Sequence, residues 1–121
     1  MLPSFSDCAK QVVCGTHHTL ILSISGLVYA FGRNTEGQLG IGHRHNADQC
    51  TVVTQISKIP MKCISAGSFS ASISEDSGNL FIWGTGSFGQ FVVPHRVKRI
   101  KSEVLQVSIG QGFGLALSID G

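Results

Sequence analysis

Gly15-Thr16-His17-His18-Thr19-Leu20-Ile21-Leu22-Ser23-Ile24-Ser25-Gly26-Leu27-Val28-Tyr29-Ala30-Phe31-Gly32-Arg33-Asn34-Thr35-Glu36-Gly37-Gln38 is the stretch on which the fold turns. Thr19-Leu20-Ile21-Leu22 is a short β-prone run, and Ser25-Gly26 supplies a turn. Leu27-Val28-Tyr29-Ala30-Phe31 then runs back with aromatic and β-branched side chains, so the segment reads as a β-hairpin. Its glycines Gly15, Gly26, Gly32 and Gly37 stand at offsets 0, 11, 17 and 22, and Gly67, Gly78, Gly84 and Gly89 repeat those offsets. Gly110 and Gly121 repeat the first step once more. Recurrence of this kind marks a structural repeat, in which each unit buries its apolar face against the next.

The residues beside the glycines repeat as well. Phe31-Gly32 matches Trp83-Gly84, Gly37-Gln38 matches Gly89-Gln90, and Tyr29 matches Phe81. Leu20-Ile21-Leu22-Ser23 matches Leu115-Ala116-Leu117-Ser118, with Ser72-Ile73-Ser74-Glu75 as a weaker middle copy. The first two copies lie 52 residues apart and the next two 43. That difference is expected in the connector, with 24 residues from His43 to Ala66 against 15 from His95 to Ile109.

Each unit has room for four short strands. Strands are expected near 19–23, 27–31, 71–75, 79–83 and 114–118, with another at Leu105–Ile109. A fourth strand per unit is expected over Thr51–Ile56 and near Val92–Val97. Helical periodicity is weak throughout. The fold class is therefore all-β, built of four-stranded antiparallel β-propeller blades, with about two blades and the start of a third. Residues 1–9 form a lead-in and 10–121 the partial propeller, with repeats at about 12–60, 61–104 and 105–121.

Val28-Tyr29-Ala30-Phe31-Gly32-Arg33-Asn34-Thr35-Glu36-Gly37-Gln38-Leu39-Gly40-Ile41-Gly42 resembles the aromatic-glycine, arginine-asparagine, glycine-glutamine-leucine-glycine stretch of the regulator-of-chromosome-condensation repeat family. Gly15–Leu22 is similar to that family's glycine-to-histidine strand entry, and Pro94 with Val97 to its proline-x-x-valine. The resemblance spans roughly residues 10 to 121. It implies a propeller whose usual blade number is seven, with His18 in the blade framework. The second copy departs from the pattern: Phe91-Val92-Val93-Pro94 stands where Leu39-Gly40-Ile41-Gly42 stood, and the His18 position is read as Ser70 and then Phe113.

Composition bounds the function. The 121 residues hold 13% charged and 42% hydrophobic residues, globular values, and a net charge of +2 does not call for a nucleic-acid partner. No apolar run approaches the roughly 18 residues of a membrane span. Met1–Asp7 has neither the basic nor the apolar region of a signal peptide, so an intracellular setting is expected, cytoplasmic or nuclear. The four cysteines form no C-x-x-C pair and read as free thiols, although a Cys8–Cys14 bridge is geometrically conceivable.

Gly15, Gly26, Gly32, Gly37, Gly67, Gly78, Gly84, Gly89, Gly110 and Gly121, with Gln38 and Gln90, are expected to be structural repeat positions. Gly32-x-x-x-x-Gly37 lacks the lysine and hydroxyl residue of a phosphate-binding loop. His43-Arg44-His45 with Cys50 lacks a fourth ligand and regular metal spacing. His17 and His18 have no nucleophile in a strained elbow and only Glu75, Asp76 and Asp120 as acids in the repeat frame. No catalytic, cofactor or metal site is expected. His95-Arg96-Val97-Lys98-Arg99-Ile100-Lys101 concentrates Arg96, Lys98, Arg99 and Lys101, a candidate patch for an anionic partner or else a solvated connector. No aromatic residue interleaves these charges, which disfavours single-strand stacking.

The expected function is an intracellular protein–protein interaction module of unidentified partner, since a propeller displays loops around a rigid ring. The resemblance implies an alternative: part of a guanine-nucleotide exchange factor for a small GTPase that also docks on chromatin, the activity of the family's founding member. A third reading is a structural piece of a larger assembly. Two blades and part of a third leave strand edges open, so the remaining blades are expected from further sequence or other chains. The 121-residue chain alone is expected to be poorly soluble or oligomeric.

Overall fold

The structure is a computed structural model and describes residues 8–76, 78–86, 89–97, 104–109 and 114–118. The strands among the described residues are β1 (Ala9–Cys14), β2 (His18–Ser23), β3 (Val28–Gly32), β4 (Ala47–Val52), β5 (Met61–Ala66), β6 (Ser70–Ser74), β7 (Leu80–Gly86), β8 (Gly89–Arg96), β9 (Val104–Ile109) and β10 (Gly114–Ser118). They form two antiparallel sheets ordered β1-β2-β3-β4 and β5-β6-β7-β8, and a pair β9-β10. Each is a meander, so the chain is all-β and forms two propeller blades and the first strands of a third. Pro94, which lacks an N–H, sits in β8, last in its sheet, where the absent donor is tolerated.

The blades pack face to face. Leu20, Leu22, Val28 and Ala30 of the first blade meet Met61, Ile64, Phe81 and Trp83 of the second in one buried cluster. Ala71, Ile73 and Leu80 of the second blade meet Val104 and Ile109 of the third in another. Alternation along β2 and β6 thus sends successive side chains to successive neighbours, and both strands are buried nearly throughout.

The fourth strand begins earlier than the sequence suggests. β4 ends at Val52, and Thr54–Ile56 turns into a 3-10 helix instead of extending it. Val53 and Ile56 are both buried in the interblade core. A three-residue turn brings positions three apart to one side, whereas a strand would put them on opposite faces.

The middle copy of the repeat is also registered differently. Gly15 N–H donates to His18 O (2.7 Å), and Gly67 N–H to Phe69 O (2.9 Å). A Cβ on Gly32 would meet His18 Cα at 2.9 Å, and one on Gly84 would meet Phe69 Cβ at 3.0 Å. The counterpart of His18 is therefore Phe69, not Ser70. At the other end, Leu27 N–H donates to Ser23 Oγ (3.1 Å) and Asn79 N–H to Ser74 Oγ (2.9 Å), so Ser74 answers Ser23. Ala71-Ser72-Ile73-Ser74, not Ser72–Glu75, is the copy of Leu20–Ser23. The turn before β6 is one residue shorter than that before β2 and the turn after it one longer, so the glycine spacing hides the shift.

The extra length of the first repeat also lies elsewhere than expected. Val53 N–H donates to Val28 O and Val97 N–H to Leu80 O, both at 2.8 Å, which makes Val53 and Val97 equivalent. Twenty residues separate Gly32 from Val53 and twelve separate Gly84 from Val97, so eight of the nine extra residues lie between the third and fourth strands. In the first blade they make a loop over residues 33–46; in the second, Gly86 and Gly89 pair directly in a tight hairpin. Leu39–Gly42 therefore lies in a loop while Phe91–Pro94 lies in β8.

Candidate functional site

The most elaborated surface is the loop over residues 33–46 and the junction beneath it. Asn34 organises this loop from inside. It is fully buried, its Nδ2 donates to the carbonyls of His43 (2.7 Å) and His45 (3.0 Å), and its Oδ1 accepts from Leu39 N–H (3.0 Å). Its own N–H donates to Asn46 Oδ1 (2.8 Å), so one residue closes both halves of the loop. Gln38, also buried, accepts from Glu36 N–H at 2.8 Å. Leu39 drops into the interblade core, and Gly40 lies against the Trp83 indole.

The second blade clamps the same loop. Ser70 Oγ donates to Gln38 O (2.6 Å), Thr85 Oγ1 to Glu36 O (2.8 Å), and Gly42 N–H to Val92 O (2.9 Å). Nearer the start of the chain, Gln11 uses its amide as a strand mimic: its Oε1 accepts from Ile64 N–H (3.0 Å) and its Nε2 donates to Ile64 O (3.3 Å). Thr16 N–H donates to Gly67 O at 3.0 Å, a bond that a Cβ on Gly15 would obstruct by standing 2.7 Å from the same oxygen.

His18 sits at the centre of this junction. Its Nε2 lies 2.7 Å from Ser70 Oγ. The serine's single proton goes to the Gln38 carbonyl, which only accepts, so His18 donates from Nε2 and its Nδ1 is a bare lone pair. That Nδ1 is buried without a partner. Burial, reinforced by the His17 charge, lowers the His18 pKa from 6.5 to about 4. A serine and a histidine in contact invite a catalytic reading, but the proton order is reversed from that of an activated nucleophile, and Ser70 is wholly buried. The pair is a tie between blades.

A stability dependence follows. Between pH 6.5 and 4 the unfolded chain binds a proton at this histidine that the folded chain refuses, so stability is complete above that window and falls as pH falls through it. The loss through His18 alone is expected to reach about 3 kcal/mol at pH 4 and below. Urea denaturation from pH 7 to pH 4 is expected to be less steep with pH in His18→Gln, which keeps an amide donor but does not titrate; an unchanged pH slope would overturn the assignment.

Beside this tie an open cleft of about 210 Å³ is lined by Thr16, His17, His18, Arg33, Glu36, Gln38, Gly67 and Ser68. Arg33 N–H donates to His17 O (2.9 Å), placing the two residues side by side, and Arg33 Nε donates to Thr35 Oγ1 (2.8 Å).

Of the repeat positions, Gly15, Gly32, Gly37, Gln38, Gly67 and Gly84 converge on this junction, Gly67 O receiving Thr16 N–H and a Cβ on Gly84 approaching Gln38 Cα. Gly26 lies at the opposite end, where its carbonyl accepts from Met61 N–H, as Gly78 O accepts from Val104 N–H. Gly89 opens β8, and Gln90 is exposed, donating to Thr85 Oγ1 and accepting from Arg44. Gly110 and Gly121 lie outside the described residues, as do Lys98, Arg99 and Lys101; Arg96 ends β8 in solvent. His43 and His45 are 5.3 Å apart with His45 N–H donating to His43 Nδ1, and among the described residues no group of three metal-ligating side chains assembles. None of the four cysteines is in a disulfide, and burial pushes the Cys63 and Cys50 thiols up, away from thiolate reactivity. Among the described residues no helix is long and apolar enough to cross a membrane. The sequence reading did not single out Gln11; Asn34 and Gly40 were visible only as part of the quoted motif, and Ser70 only as the copy of the His18 position.

Two models described as the regulator of chromosome condensation (RCC1) repeat match residues 9–38 and 25–72. The human X-linked retinitis pigmentosa GTPase regulator is 40% identical over 82 residues, 67% of this chain and 8% of that protein. Human WBSCR16 superposes with a TM-score of 0.88 at 26% identity, over 99% of this chain and 33% of that one. Prp20p of Saccharomyces cerevisiae, described with its binding properties to Gsp1p and histones, superposes with a TM-score of 0.79 at 17% identity, over 93% of this chain and 32% of that one, which establishes the fold alone. The chain spans between 8% and 24% of the length of curated relatives it matches.

Proposed function

Because the chain belongs to the regulator of chromosome condensation repeat family, we propose that it is a non-catalytic intracellular protein–protein interaction module whose docking face is the loop over residues 33–46 with the cleft beside it. The observation that carries this reading is the clamping of that loop by Asn34 from within and by Ser70, Thr85 and Val92 from the next blade. A loop held this way loses little entropy on binding, and a compact ordered loop is a frequent site of recognition. Cross-linking of the protein to its partners in cells, with the linked residues identified by mass spectrometry, tests it. Links concentrated on 33–46 and Thr16–His17 support the reading; links confined to the opposite face, around Ser25, Lys58 and Glu75, overturn it.

The same module works within a larger ring of blades. Val12 is 55% exposed, whereas its counterpart Ile64 is 3% exposed because the first blade covers it. A further blade set against β1 would cover Val12 in the same way.

A second reading, guanine-nucleotide exchange on a small GTPase, draws on the name of the retinitis pigmentosa GTPase regulator and on the Gsp1p and histone binding described for Prp20p. Nucleotide release measured across a panel of GTPases separates the two: acceleration of release by the protein favours exchange, and its absence with retained binding favours the module. The segment with Arg96, Lys98, Arg99 and Lys101 is proposed as a separate anionic-partner patch. Changing all four to glutamine is expected to weaken such a partner and flatten the salt dependence of its binding; unchanged affinity assigns the segment to a solvated connector.

A further inference from the structure

We infer that the cleft between the first two blades receives carboxylate side chains from an acidic segment of a partner protein. This rests on the docking face proposed above and adds the chemistry of what binds there.

The scaffold of the junction and its charges separate cleanly. Gly15 and Gly67, Ser23 and Ser74, Gly32 and Gly84 recur between blades because turns and close contacts require them. The basic cleft residues do not recur. Arg33 corresponds to Thr85, and the turn holding His17 is one residue shorter in the second blade. The fold of a blade therefore manages without either side chain.

The arrangement suits a carboxylate. The Arg33 backbone bond to His17 O sets the two residues side by side in the cleft lining. Its Nε is spent on Thr35 Oγ1, which orients the guanidinium and leaves its two terminal nitrogens for an incoming pair of oxygens. Thr16 lines the same space, and Arg44 stands in the same loop as Arg33 with Nη1 on Gln90 Oε1 at 3.4 Å. The one opposing charge is Glu36 on the cleft wall. It limits affinity and selects the occupant: a lone anion gains little beside it, whereas a peptide carboxylate brings main-chain N–H groups that Glu36 accepts. A volume of about 210 Å³ holds side chains and not a folded element.

Fluorescence anisotropy of a labelled hexaglutamate peptide, with hexaglutamine as the neutral control, tests the inference on the full protein. Hexaglutamate is expected to bind with an affinity that falls as salt rises, while hexaglutamine and free glutarate do not bind measurably. Arg33→Gln is expected to weaken hexaglutamate at least fivefold, Arg33→Lys to restore only the part due to charge and not the paired contact, and Glu36→Gln to tighten it several-fold, all with unchanged melting temperatures. Binding that is indifferent to Arg33 and Glu36 but lost in the glutamine variant of Arg96, Lys98, Arg99 and Lys101 overturns the assignment, as does equal binding of hexaglutamine. Failure here with cross-links still mapping to 33–46 removes the acidic partner and leaves the docking face; cross-links elsewhere remove the face itself.

Discussion

Asn34→Ala is expected to destabilise the protein by about 3 kcal/mol and lower its melting temperature by about 10 °C. The side chain makes three hydrogen bonds inside the loop, to His43 O, His45 O and Leu39 N–H, and alanine strands all three groups. Leu39 is fully buried, so its N–H has no water to turn to. Asn34→Asp is the sharper test. It preserves size and the Oδ1 acceptor, yet it turns an oxygen toward two carbonyls and buries a charge, so it is expected to cost at least as much as alanine. Thermal unfolding followed by circular dichroism reads both variants. An Asn34→Asp protein as stable as the parent would show that the loop does not depend on the amide.

Gly40→Val is expected to cost about 4 kcal/mol, the sum of a backbone part and a packing part. Gly40 has φ +71°, a conformation that costs an L-residue about 1–2 kcal/mol. Its Cβ would stand 2.6 Å from Trp83 Cδ1, and Trp83 is a fully buried indole that has nowhere to retreat, which adds overpacking of about 1–3 kcal/mol. Gly89 provides the control. Its φ is +117° but nothing lies within 4 Å of its added Cβ, so Gly89→Val is expected to lose only the backbone part, about 1–2 kcal/mol. Urea unfolding of the two variants side by side checks the order. Equal losses would mean that strain alone, and not the contact with Trp83, makes Gly40 necessary.

These two positions show how recurrence and importance come apart. Gly89 is legible in the sequence because it falls on the repeat offset, whereas Gly40 does not recur in the second copy. What makes Gly40 matter is a tryptophan 43 residues away, and no local pattern reports that distance. Ser70 is the same kind of case. It looked like the degraded counterpart of His18, and it is instead the partner that His18 reaches across the junction.

The all-β class, the hairpins within each blade and the family could be read from the residues alone, because they follow from local alternation, turn chemistry and the spacing of glycines that permit turns. The strands expected at 19–23, 27–31, 71–75 and 79–83 fall on β2, β3, β6 and β7 to within a residue at their starts. Which residue of β6 answers which residue of β2 emerged only once the blades were packed. A fixed glycine spacing cannot register a turn shortened by one residue at one end of a strand and lengthened by one at the other. Packing can, because a one-residue slip turns every side chain of the strand to the opposite face. In β6 that slip would take Ala71 and Ile73 out of their contact with Val104 and Ile109 and leave serines there instead. The docking face has the same origin: Arg33, Glu36 and His17 are ordinary surface residues in the sequence, and they become one cleft only when β6 and β7 bring the second blade against the loop that carries them.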